Sequence, residues 1–116
     1  MDNQKTLNEL SPKTGPIERL VVRPQDIENV INGTRTVVRR NGRYADVGEI
    51  FTLSNKKFVI NRVYSMTLGS LTDEDVLQDG FSTVEDYKKA VLSSHHGMTW
   101  NPETVVWVHE FSPITQ

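Results

Sequence analysis

Three guanidiniums and two hydroxyls are concentrated in the eight residues Gly33-Thr34-Arg35-Thr36-Val37-Val38-Arg39-Arg40. Guanidiniums bind carboxylates and phosphates in a bidentate manner, and a threonine hydroxyl beside a base is a nucleophile. The β-branched content of this run predicts a strand over 34–40, in which side chains alternate. Arg35, Val37 and Arg39 then share one face, and Thr36, Val38 and Arg40 share the other. On an inward face an arginine must be paired or line a cleft, because an unpaired buried charge is very costly. The plain alternative is an exposed edge strand whose arginines guard against aggregation.

Further candidates lie outside this run. Arg23 and Lys57 are cations for an anionic ligand, and Tyr44, Tyr64 and Trp100 are rings on which a base can stack, Tyr44 being nearest to the basic segment. Trp107 alternates with valines and reads as core. Asp73, Glu74 and Asp75 suit the N-terminus of a helix, where negative charge complements the dipole, whereas Asp79 lies past that helix and is open to a chemical role. His95 and His96 sit together at a helix end, where positive charge is favourable, and His109 reads as a packed core imidazole. No two histidines have metal-ligand spacing, so neither a metal nor a cofactor is expected.

The elements that must position these side chains are legible from periodicity. Arg19 to Arg23 (RLVVR) reads as a short strand, and Pro24 suits the first helical position. Ile27, Val30 and Ile31 repeat at helical spacing up to Gly33, which ends the helix. Asn41-Gly42 predicts a tight hairpin turn, so strand 34–40 is expected to reverse into Arg43 and Tyr44. DVGEIFTL and KKFVINRVYSMTL read as two strands separated by Ser54-Asn55, the second long enough to need a bulge. Thr72 with Asp75, and Ser82 with Glu85, are capping-box spacings that open two helices, the second running from about Thr83 to Ser94 with Val84, Tyr87, Val91 and Leu92 on one face. TVVWVHEF is apolar on both faces and reads as a central strand. Together these predict an α+β domain: a curled sheet or barrel of five or six mostly antiparallel strands with one early and two late short helices.

Composition limits what such a domain can be. A chain of 116 residues accommodates one domain with a core of its own, here expected over 18–116 behind a flexible polar arm, 1–17. There is no cysteine, which removes disulfides and thiolate chemistry and fits a reducing cytoplasm. No apolar run is long enough for a signal peptide or a membrane span, so no membrane partner is expected. The net charge of −2 is unevenly spread: residues 17–62 carry nine Lys or Arg against five acids, and residues 63–116 carry two against eight. A basic half of this kind can hold an anionic ligand or attract the acidic half.

Taken in order, the Arg23-Pro24 helix, Gly33 to Arg40, DVGEI at 46–50, the long strand, GSLTDEDVLQDGFSTVEDY at 69–87 and VVWVHEF at 105–111 resemble the ASCH domain family of small PUA-like β-barrels. The resemblance covers residues 18–112. Family members usually carry Gly-x-Lys-Thr with an Arg a few residues on; Gly33, Thr36 and Arg40 match, and Arg35 stands where Lys is usual. The resemblance implies a barrel with a cleft beside the first helix that takes RNA or a nucleotide-like small molecule, with Arg23, Gly33, Arg35, Thr36, Arg40, Tyr44 and Lys57 as its binding residues. Some relatives remove the acetyl group of N4-acetylcytidine with a Lys two residues after the Gly, a Thr five after it and a Glu in the acidic block. Those positions here hold Arg35, Val38 and Asp79.

Valine has no atom that can attack a carbonyl, and arginine does not lose its proton to act as a base. Arg35, Thr36 and Asp79 remain the catalytic candidates, although Thr36 would sit about 7 Å along the strand from the expected nucleophile. Other relatives are ribonucleases. The expected function is therefore binding of RNA or a modified nucleoside or nucleotide, with a nucleoside amidohydrolase or ribonuclease, and a protein-interaction module, as the rivals.

Overall fold

The computed structural model describes residues 12–95 and 97–115. Four strands, β1 (Val37–Arg40), β2 (Ile50–Leu53), β3 (Lys56–Thr67) and β4 (Val105–Pro113), form one antiparallel sheet in the order β1-β4-β3-β2. Three helices accompany it: α1 (Pro24–Ile31), α2 (Asp73–Leu77) and α3 (Val84–Ser94). The mixed architecture and the helix count match expectation. The strand count does not, being four rather than five or six, and the sheet is a curled half-barrel rather than a closed barrel.

Two misread segments account for the difference. RLVVR forms no strand: Ile17–Arg19 is a 3-10 turn, and Leu20 and Val21 are both buried, which strict alternation would forbid. The Arg19 and Leu20 carbonyls, which a sheet ladder would use, instead accept from Arg40 Nη1 at 2.7 and 2.9 Å. Nor does Asn41-Gly42 make a hairpin. Among the described residues β1 pairs only with β4, Val37 lying opposite Glu110 and Arg40 opposite Trp107, and residues 43–46 leave the sheet.

Gly42 is required for a different reason. A Cβ there would fall on the Thr14 side chain, because residues 12–16 cross this point and the Thr14 N–H donates to the Arg43 carbonyl at 2.8 Å. Of the expected flexible arm, 1–11 lie outside the described residues; along 12–17, which are mostly exposed, Lys13 pairs with Glu49 at 2.6 Å, Gly15 lies against the Tyr44 ring and Ile17 is buried in the core. Gly42→Ala is therefore expected to lower stability by about 1–3 kcal/mol through overpacking. A denaturation midpoint equal to that of the native protein would contradict the close crossing.

Other features follow the sequence closely. Ser54 and Asn55 carry φ of 49° and 72°, the mirror-image turn that matches strand twist, and join β2 to β3. β3 contains the irregularity its length demanded, with Ile60 opposite Phe111 but Arg62 opposite Glu110, leaving Asn61 as the extra residue. Gly33, at φ 85°, ends α1. Thr72 and Asp75 form the reciprocal capping box of α2. α3 is capped by Thr83, which accepts from the Asp86 N–H at 3.1 Å, one residue later than the Ser82-Glu85 spacing suggests.

β4 is central, as its two apolar faces predict, and each face meets a different core. On one side Val38, His109 and Phe111 lie with Leu20, Val30, Tyr44, Phe51, Phe58 and Ile60. On the other, Val106 packs with Leu68, Leu71, Val76, Phe81 and Tyr87 from the α2–α3 region. No described helix is long and apolar enough to cross a membrane.

His109 is fully buried in the sheet, as the reading of a core imidazole required. Its Nε2 accepts the Tyr44 N–H at 3.1 Å, so the proton resides on Nδ1, which donates to the Val38 carbonyl at 3.2 Å. Burial, followed by the nearby Arg40 and Arg43 charges, pushes its pKa down. The unfolded chain then binds a proton more readily than the folded one. The stability is complete above the unfolded value of about 6.5 and is lost as pH falls through it towards the lowered folded value, at up to about 1.4 kcal/mol per pH unit. Urea denaturation should show a lower midpoint at pH 5.5 than at pH 7.5, and His109→Gln should flatten that difference. An unchanged pH profile in the variant would contradict the buried neutral imidazole.

Candidate functional site

Alternation along β1 sends Arg39 to the α2–α3 side of the sheet, where its side chain is almost wholly buried. Asp79 meets it. Asp79 follows α2, whose end is tied down by the N–H groups of Asp79 and Phe81 donating to the Val76 carbonyl, both at 3.0 Å, and by Gly80 at φ 91°. The Thr36 N–H donates to the Gln78 carbonyl at 2.9 Å, which fixes this turn against the start of β1. As a result Asp79 Oδ1 accepts from Arg39 Nη1, and Asp79 Oδ2 lies 3.6 Å from Arg35 Nη2.

Arg35 reaches a second carboxylate, Asp26 of α1, at 2.9 Å, and its Nε donates to the Val37 carbonyl at 2.9 Å. A chain of alternating charge, Asp26-Arg35-Asp79-Arg39, thus links α1, β1 and the α2–α3 turn. Burial raises the Asp79 pKa, against the opposing pull of Arg39 and then Arg35. The Tyr87 hydroxyl is also raised, by burial and then by the Asp79 charge. Two titrating groups displaced by burial at one place mark a candidate site.

Beside this chain opens a cleft of about 510 Å³. Arg23, Arg35, Arg39 and Arg40 supply its guanidiniums from the α1 entry and β1, while Phe81, Tyr87, Val91 and Met98 give it an apolar wall from the α3 region. Phe81 and Tyr87 meet edge to face with centroids 5.6 Å apart. His95 stands at the end of α3, its Nδ1 bonded to the Val91 carbonyl at 3.0 Å and its Nε2 accepting from Arg23 Nη2 at 3.3 Å. His96 lies outside the described residues.

The cleft therefore unites Arg23, Arg35 and Arg40 from the expected set, with Asp79 paired directly to its floor. Four other expected residues are placed elsewhere. Gly33 and Thr36 border a separate recess of about 60 Å³. Lys57 is exposed on the β2–β3 hairpin, opposite Thr52. Tyr44 is buried in the core under the Arg40 guanidinium, 4.3 Å from its ring centroid, and presents no free face to a base. Of the other rings weighed for stacking, Tyr64 lies under Arg62 at 4.2 Å and Trp100 packs edge-on to Tyr87. Val38, at the position the resemblance implies for a nucleophile, points into the opposite core.

Two residues important to the site were not singled out from the sequence. Arg39 carried a usable signal, since alternation placed it with Arg35 and an inward arginine requires a partner. Phe81 carried none, because its role depends on how α2 and α3 fold against the sheet. Among the described residues no cluster of His, Asp and Glu could hold a metal ion.

No family model matches the sequence, and no curated protein matches it. Solved structures do share its architecture. The ASCH domain from Lactobacillus crispatus JV V101 superposes with a TM-score of 0.62, covering 75% of this chain and 69% of its own at 9% sequence identity. The fold is ASCH-like. A crystal structure of a protein from Enterococcus faecalis V583 described as DUF984 gives a TM-score of 0.60 over 97% of this chain and 84% of its own at 10% identity. At such identities the likeness is one of fold alone, and the chemistry of the cleft in this ASCH-like fold must be argued from its own residues.

Proposed function

We propose that this protein binds RNA, or a modified nucleoside or nucleotide, in the arginine-lined cleft between α1, β1 and α3. The observation that carries the reading is the pairing of four guanidiniums with a wall of Phe81, Tyr87, Val91 and Met98 in a cleft of about 510 Å³. That volume suits one base-bearing unit. Guanidiniums recognise phosphate, and aromatic side chains or guanidinium planes pack against unstacked bases. The likeness to ASCH-domain structures supports the reading at the level of fold. The lack of cysteine accords with action in a reducing cytoplasm, where RNA is found.

Catalysis is not part of the proposal. Val38 faces the opposite core, and Thr36, which shares the smaller recess with Arg35, does not line the cleft.

The test is a fluorescence titration of the full chain with a labelled single-stranded RNA at several salt concentrations. Each phosphate contact on a single strand contributes roughly 0.7 to the fall of log K with log salt. Arg23 is the informative position, being exposed and free of structural carbonyl contacts, whereas Arg40 also ties down Arg19 and Leu20. Arg23→Ala is expected to weaken binding and to reduce the slope by about 0.7. Absence of binding at low salt, or a slope indifferent to the substitution, would refute the reading.

A further inference from the structure

The cleft is electrically divided. At its inner end the two guanidiniums of Arg35 and Arg39 are matched by the two carboxylates of Asp26 and Asp79, so the buried charges cancel. At its outer end Arg23 contacts His95, and Arg40 contacts two carbonyls and the Tyr44 ring. Among the described residues neither of these arginines has a carboxylate partner within ion-pair distance. The two are held close in the chain path, since Arg40 bonds the carbonyl of Leu20, three residues before Arg23. Two uncompensated cations at the mouth of a cleft attract an anion. A neutralised floor does not.

The floor makes a different demand. Arg39 Nε is buried and has no hydrogen-bond partner, although Arg39 lines the cleft. The Arg39 side chain is closed to solvent, as is that of Asp79, so the inner end offers the ring of a base shape and van der Waals contact rather than a charge. The Phe81 and Tyr87 wall suits the apolar faces of that same ring.

We infer that the cleft takes a phosphorylated nucleotide in preference to a free nucleoside, with the phosphate between Arg23 and Arg40 and the base against Phe81 and Tyr87. This inference rests on the proposed base-binding function and assigns an orientation and a ligand class to it. Free mononucleotide and the phosphorylated end of an RNA strand share the chemistry required.

The experiment is calorimetric titration of the full chain with uridine, uridine 5′-monophosphate and a short 5′-phosphorylated oligouridylate, for the native protein, Arg23→Gln and Arg23→Lys. Uracil is chosen as a small, uncharged base. The monophosphate is expected to bind at least tenfold more tightly than uridine, with the preference shrinking as salt rises. Arg23→Gln should lower monophosphate affinity severalfold more than uridine affinity, and Arg23→Lys should retain part of the preference. Tighter binding of the oligouridylate than of the monophosphate supports a strand end as the ligand, and equal binding supports a free nucleotide. Equal affinity for uridine and its monophosphate would overturn the charge-divided cleft while leaving base binding intact. No binding of any of the three probes would overturn both.

Discussion

Asp79→Ala should destabilise the protein by about 3–5 kcal/mol, the cost of stranding a buried guanidinium without its carboxylate. Arg39 is the residue stranded: its side chain is almost wholly enclosed, and its other polar contact is a long one of 3.5 Å to the Asp75 carbonyl. Arg35 keeps Asp26 at 2.9 Å and loses less. The pair as a whole need not stabilise the fold, because removing two charges from water offsets much of their attraction. Asp79→Leu combined with Arg39→Met should therefore recover most of the loss. Urea denaturation of the native protein and of the single and double variants, compared at constant m-value, provides the measurement. A single-variant loss below about 1 kcal/mol would show that water or neighbouring groups reach Arg39, contrary to its burial.

N4-acetylcytidine should survive incubation with the protein, as read by chromatography, at the rate of the uncatalysed control. Arg35 offers no titratable base and Val38 no nucleophile, and loss of either role in a catalytic set costs several orders of magnitude. Restoring both residue types tests the register of β1. From the resemblance alone, Arg35→Lys with Val38→Thr would rebuild the missing set. The fold predicts otherwise, because Val38 lies in the core with Tyr44 and Phe111 while Arg35 lines the cleft and Asp79 is buried beneath it. The double variant is expected to remain inactive and to lose about 1–3 kcal/mol through a hydroxyl enclosed by apolar neighbours. Turnover by the folded double variant would mean that residue 38 reaches the cleft. Turnover by the native protein would restore the enzyme reading.

What the sequence revealed depended on how local each signal was. Both capped helices, the Ser54-Asn55 turn and the bulged long strand follow from neighbouring residues, and all are present. The central place of β4 followed from apolar residues on both of its faces. Asn41-Gly42 misled because the same dipeptide serves a tight turn or a close approach, and only the crossing of Thr14 separates the two. RLVVR misled because its carbonyls are taken by Arg40, twenty residues away, rather than by a neighbouring strand. Arg35 and Asp79 were legible as candidates individually, but their convergence on Arg39 requires the α2–α3 turn to fold back on β1. No local pattern states that.

β1 and β4 are neighbours in the sheet although Val37 pairs with Glu110. During synthesis β1 has no strand to pair with until residues 105–113 have left the ribosome, whereas β2 and β3 can zip together as soon as their short turn is made. The basic segment must wait as an unpaired strand through the making of some sixty-five intervening residues. Its arginines, which give the finished cleft its charge, also keep that waiting strand soluble and slow to join another chain. A chain stalled before residue 105 would therefore hold the three helical segments and the β2–β3 hairpin but no partner for β1, and recognition of ligand can begin only with β4 in place.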